Sequence, residues 1–236
     1  MNKLLLSLIV LFFSTLDAAF PITHVQLTRM YFKQFPKYNQ EEQKIFIIGT
    51  LFPDIRYFGK CERNETHYDA VSLKDVLEET NPFIAGMKFH SYVDIEREAL
   101  VVKENIYAHL KNDPHFHTHL KAIEDEILSE QNEYSDVSCL MGDILPEELD
   151  SGISEATIRK WHQALAFLFM ASPSKALQVA ALSGKGFIDL TPEEIQEWSK
   201  TLKKEAQEEA MQLWVKKLLF HFNELLQKEE STLPKS

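Results

Sequence analysis

Apolar residues recur along most of this chain every three or four positions, the period of a helix with one face turned to a core. Leu27, Tyr31 and Phe35 predict a first helix over residues 25–35. Asn39 is placed to cap a second, whose apolar residues Ile45, Ile48 and Leu51 end at Pro53. Asn81 followed by Pro82 joins a capping side chain to a proline at the first helical position, and the helix it opens should reach about Val102. Further helices are expected over about residues 117–131 and from Ser154 through Ala171. Thr191-Pro192-Glu193-Glu194 is a capping box. It opens a last long helix with Ile195, Trp198, Leu202, Trp214, Leu218, Phe222 and Leu225 as its inner stripe. Residues 52–65, 112–114, 133–145 and 184–189 read as loops, none long enough to divide the chain. Glycine is scarce, with 7 residues, and alternating β-branched runs are hard to find. The expected fold is all-α, a compact multi-helix bundle in a single domain over residues 20–230, with residues 231–236 a frayed tail.

The first residues break the amphipathic pattern. Lys3 precedes an apolar run from Leu4 to Phe13, and Asp17-Ala18-Ala19 offers a small-residue cleavage site before Phe20. The run falls well short of the ~20 residues a membrane helix needs. Residues 1–19 are therefore expected to be a cleaved signal peptide, and the mature protein to be secreted or periplasmic, with no stable membrane anchor. A net charge of −11 removes the counterion-release term behind most non-specific nucleic-acid binding. Nucleic acid enters only as a possible substrate, met through metal ions whose local field matters more than the net charge. The two cysteines, Cys61 and Cys139, are too few and too far apart for a cysteine zinc site, and whether they form a disulfide stays open.

Candidate chemistry lies in the N-terminal half, in four short motifs: Pro21 to His24, Gly49 to Asp54, Glu65 to Asp69 and His90 to Asp94. His24, Asp54, His67, His90 and Asp94 supply the imidazole and carboxylate donors that a borderline divalent metal takes. Spacing does not single them out, because with 36 acidic residues a His-x-x-x-acid pair arises readily by chance. Position does. Asp113 of the competing pair His109/Asp113 precedes Pro114 and should leave the helix. His90 and Asp94 instead share a face with Phe83 and Met87 inside a helix. Polar groups on such a face are costly to desolvate unless paired or metal-bound. The plain alternative is a buried His–Asp hydrogen bond.

The ordered set (a His just after the presumed mature N-terminus, Pro-Asp, Thr-His, then Gly86-x-x-x-His90-x-x-x-Asp94) resembles the zinc-dependent phospholipase C family and the related single-strand nucleases of the P1/S1 type. The likeness covers residues 20 to about 94. It implies Asp54, His67, His90 and Asp94 as metal ligands, with a carboxylate bridging two ions and Asp54 as candidate general base. It also implies that His24 holds an ion together with the backbone amine and carbonyl of Phe20, and that two or three zinc ions are bound. That family completes its second site with a further His and a His-x-x-x-acid pair, which this chain does not match. Glu124 is the first candidate to stand in, His119 the second, from a segment that also carries His115, His117 and Asp125. His162 and His221, on apolar helices, are expected at core or rim positions. The implied function is a secreted metal-dependent phosphoesterase acting on a phosphodiester or phospholipid head group. The alternative is a non-catalytic exported helical protein with a partial or structural metal site.

Overall fold

The computed structural model describes residues 20–59, 61–110, 113–181 and 191–233. The expected signal segment and the 184–189 loop lie outside them. The described chain is all-α, a helical bundle with no strand among these residues. The helices are α1 (Pro21–Gln34), α2 (Gln40–Leu51), α3 (Arg56–Gly59), α4 (Leu73–Glu78), α5 (Pro82–Glu104), α6 (Phe116–Gln131), α7 (Ser135–Leu140), α8 (Pro146–Asp150), α9 (Glu155–Met170), α10 (Pro173–Ala181), α11 (Pro192–Glu205) and α12 (Glu209–Thr232). None is long and apolar enough to cross a membrane.

The caps form as the sequence dictates. Asn39 accepts from the amides of Glu41 and Glu42, and the Glu42 carboxylate accepts in return from the Asn39 amide. Asn81 accepts from the amides of Phe83 and Ile84. Thr191 and Glu194 close a second box. Each satisfies donors that have no partner within the helix.

Three elements differ from expectation. The last helix is two, α11 and α12, parted at residues 206–208. At about 100° per residue, one straight helix would carry Ile195, Trp198 and Leu202 on the side opposite Trp214, Leu218 and Phe222. All six are buried, so the chain turns to bury both stripes, and Leu226 rather than Leu225 completes the second. The segments 52–65 and 133–145 contain helical turns where loops are expected. The final helix continues through Thr232, so Ser231 and Thr232 are helical and exposed. Cys61 and Cys139 are both free thiols.

Two features position the site. The first is the crossing of α2 and α5 at Gly49 and Gly86. A Cβ on Gly86 would lie 2.2 Å from the Phe46 carbonyl oxygen, and one on Gly49 would lie 2.2 Å from the Phe83 oxygen. Only two glycines let these backbones touch. Tyr31, Phe46 and Phe89 pack beside the crossing, with Tyr31 ring centroids 5.3 Å from Phe46 and 5.0 Å from Phe89. The second is α6, a central helix buried on every side from Thr118 to Leu128. Successive residues fan around a helix, so its three consecutive acids reach three different neighbours. Glu124 meets Arg97 of α5 and Trp214 of α12. Asp125 accepts from the Ile22 and Thr23 amides at the start of α1, and Glu126 from the Ser174 amide at the start of α10.

Candidate metal centre

The structure gathers His24, Asp54, His67, His90 and Asp94, drawn from four separate stretches of chain, into one buried cluster. Their ligand atoms form two overlapping groups, His24/His90/Asp94 and Asp54/His67/His90. His24 and His90 are fully buried, Asp94 is 4% exposed, and the cluster comes nearest to solvent at His67 (6%) and Asp54 (7%).

Each member is held by its own local structure. Asp125 fixes the first turn of α1 through the Ile22 and Thr23 amides and the Thr23 hydroxyl, which sets His24 one residue further on. Helix α2 ends at Leu51, so the Thr50 carbonyl has no helical partner, and His90 Nδ1–H donates to it at 2.8 Å. A carbonyl can only accept, so this bond fixes the His90 tautomer and leaves the Nε2 lone pair facing the cluster. On α5, Gly86, His90 and Asp94 follow at intervals of one turn. The glycine permits the close crossing, the histidine locks onto the end of α2, and the carboxylate completes the centre. Pro53 opens the short 3-10 turn Phe52–Ile55 that carries Asp54. His67 is braced by a 2.9 Å contact between its Nδ1 and Thr66 Oγ1.

Asp94 faces all three imidazoles. Its Oδ1 lies 3.4 Å from His24 Nε2, and its Oδ2 lies 3.4 Å from His90 Nε2 and 3.9 Å from His67 Nε2. Asp54 Oδ1 is 3.9 Å from His90 Nε2. These separations are too long for charge-assisted hydrogen bonds, which close to ~2.7–2.9 Å. The two 3.4 Å separations fit donors arranged round a cation instead, because ligands ~2.0–2.2 Å from zinc at tetrahedral angles stand roughly 3.3–3.6 Å apart, and the two of 3.9 Å are slightly wider. The Nε2 atoms of His24, His67 and His90 and the Oδ1 of Asp54 are buried without hydrogen-bond partners. Buried polar atoms are rarely left so. The residues present therefore suit a divalent cation.

Electrostatics separate the donors. Burial, reinforced by the neighbouring His90, pulls the His24 pKa down to about 4. Burial, with His90 and Arg63 nearby, takes His67 to about 2. Both imidazoles are thus neutral and ready to coordinate near pH 7. Burial opposes a charge on His90, but Asp94 and Asp54 outweigh it and raise its pKa. Burial likewise works against the Asp94 carboxylate, yet His90 and His24 hold its pKa well below the usual range. Asp54 is different: burial dominates and its pKa is raised.

Glu124 does not join the cluster. Its Oε2 accepts from Arg97 Nε at 2.8 Å, and its Oε1 accepts from Arg97 Nη2 at 2.9 Å and Trp214 Nε1 at 2.7 Å. A buried carboxylate bound to a buried guanidinium has no oxygen to spare, so Glu124 is a structural anchor. His117 packs against Tyr107 and Phe116 instead, and His162 is buried against Glu148. Sequence reasoning missed that Asp125 anchors the turn bearing His24. Nothing in the spacing distinguishes three adjacent acids that face different ways.

His119 is also committed elsewhere, between Asp113 and Glu205 at 2.5 and 2.7 Å, with its ring stacked on Trp198. Burial lowers its pKa, but the two carboxylate hydrogen bonds prevail and hold it at about 9. A folded-state value above the ordinary ~6.5 stabilises fully below that pH, and the benefit is lost as pH rises through 9. Thermal unfolding of His119→Gln should accordingly show a deficit on the order of 3 kcal/mol at pH 6 that shrinks as the pH rises from about 6.5 and has largely gone once it passes about 9. A deficit independent of pH would contradict the assignment.

No protein-family model, curated protein or solved structure matches this chain.

Proposed function

We propose that this protein is a secreted metal-dependent phosphoesterase that hydrolyses a phosphodiester or phospholipid head group. One observation carries the proposal: four buried ligand atoms without hydrogen-bond partners converge with the two oxygens of Asp94. Asp54, His67, His90 and Asp94 would hold one ion, and His24 with Asp94 a second, so that Asp94 would serve both. Mixed imidazole and carboxylate donors favour zinc. Bound there, zinc supplies Lewis acidity toward a phosphoryl oxygen and toward water.

The chain's own residues do the rest. His24 and His67 coordinate without first losing a proton. His90 is held in register by Thr50, which spares the centre any reorganisation. Asp54 lies on the most accessible side, where a carboxylate can take a proton from an attacking water. Engagement of Glu124 by Arg97 leaves a third ion without that ligand, so two equivalents are expected. The near-complete burial of the five residues supports the second reading, a structural metal site without turnover.

Elemental analysis of the purified mature protein should find about two equivalents of zinc. Asp54→Asn should slow hydrolysis of bis(p-nitrophenyl) phosphate at least ~100-fold while helical content is unchanged. Metal-free protein would refute both readings. Zinc without hydrolysis would leave only the structural one, and turnover indifferent to the substitution would remove Asp54 from the reaction.

A further inference from the structure

Arg63 reaches from the partly exposed 3-10 turn beside His67 to the buried cluster and has a donor without a partner. It opens the 3-10 turn Arg63–Glu65. Its carbonyl accepts from the amides of Thr66 at 3.1 Å and His67 at 2.9 Å, so its backbone is tied to that of a cluster histidine. Its guanidinium Nη2 reaches to 3.7 Å from Asp94 Oδ2, while its side chain remains 36% exposed. Nη1 is buried and has no hydrogen-bond partner. Arg56 stands nearby, since both arginines act to lower the His67 pKa, and Arg56 and Lys121 both act on Asp54. Arg63 thus adds a positive charge beside the cluster, on the stretch of chain that carries His67.

That charge has chemical consequences. Asp94 is the nearest anion to Arg63, and three imidazoles already face it. Once Asp94 shares its charge with a cation, the guanidinium is left beside further positive charge, with a planar fork of donors and a buried N–H unmatched. A tetrahedral oxyanion is the group that answers both, because guanidinium N–H pairs match phosphate oxygens in spacing and charge. Lys, a point charge, would answer the charge but not the fork.

We infer that Arg63 binds the phosphoryl group of the substrate, with one N–H pair directed at oxygens turned away from the metal centre. The inference rests on the metal reading above and adds a residue to it. Orthophosphate is the probe, titrated calorimetrically into zinc-loaded wild type, Arg63→Met and Arg63→Lys, with zinc content measured on the same samples. The expected result is unchanged zinc, phosphate affinity weakened about 10- to 100-fold in Arg63→Met, and partial recovery in Arg63→Lys. With a phosphodiester substrate, KM should rise by a similar factor in Arg63→Met. Equal phosphate affinity in the three proteins overturns the inference while leaving the metal centre intact. So does a loss of zinc in Arg63→Met without a change in phosphate affinity, which would make Arg63 a counterion of Asp94 only. Wild type that binds no zinc removes the metal reading itself, and the inference with it.

Discussion

Asp94→Asn is expected to reduce bound zinc from about two equivalents to less than one and to lower phosphodiester hydrolysis at least ~1,000-fold. Among the described residues, Asp94 alone places one oxygen near His24 and the other near both His67 and His90. An amide keeps the shape but lacks the charge, and its nitrogen cannot coordinate. The metal would then have to be held by imidazoles and Asp54. Loss of Lewis acidity toward the phosphoryl group is worth several kcal/mol of barrier, and each ~1.4 kcal/mol is tenfold in rate. Inductively coupled plasma analysis and single-turnover assays on the same preparation check both numbers. Full zinc occupancy in the variant would show that Asp94 is a hydrogen-bonding neighbour and not the bridge.

Gly86→Ala is expected to cost about 3 kcal/mol or more, beyond the usual range for an added methyl in a packed core. The reason is that the new Cβ meets backbone and not a flexible side chain. It would sit 2.2 Å from the Phe46 carbonyl oxygen and 2.7 Å from the Thr50 nitrogen, so α2 and α5 must separate. At roughly 2–4 °C per kcal/mol for a domain of this size, the melting temperature should fall by at least ~6 °C. The same separation pulls the Thr50 carbonyl from His90 Nδ1, and losing a hydrogen bond that orients a ligand typically reduces metal affinity about 10- to 100-fold. The two effects should appear together in Gly86→Ala. Gly142→Ala, whose nearest contact would be 3.5 Å, is the control and should change neither. Normal zinc affinity in a destabilised Gly86→Ala protein would uncouple the crossing from the site.

How much of this was legible beforehand depends on the range of the interaction involved. Capping boxes at Asn39 and Thr191, and the Asn81-Pro82 start, act within four residues, and each formed as written. The break between α11 and α12 was also recoverable, since the apolar phase reverses between Leu202 and Trp214, but a stripe read only as a list of apolar residues conceals that reversal. Glu124 was not recoverable. A carboxylate on a helix interior is chemically the same whether it meets a metal or a guanidinium. Which one it meets depends on Arg97 and Trp214, 27 and 90 positions away in the chain. Asp125 shows the same limit from the other side, since its partners at Ile22 and Thr23 lie about a hundred residues upstream.

The sequence by itself determined the helical class, the helix starts at Asn39, Asn81, Ser154 and Thr191 and the five donors of the centre, because periodicity, caps and ligand chemistry are local properties. Only the tertiary structure decided that those donors share one buried volume, that Asp94 is their common neighbour and that Glu124 is not among them. Those outcomes turn on distances of 3 to 4 Å between residues far apart in the chain, set by two glycines where helices touch and by the direction each acid of α6 points.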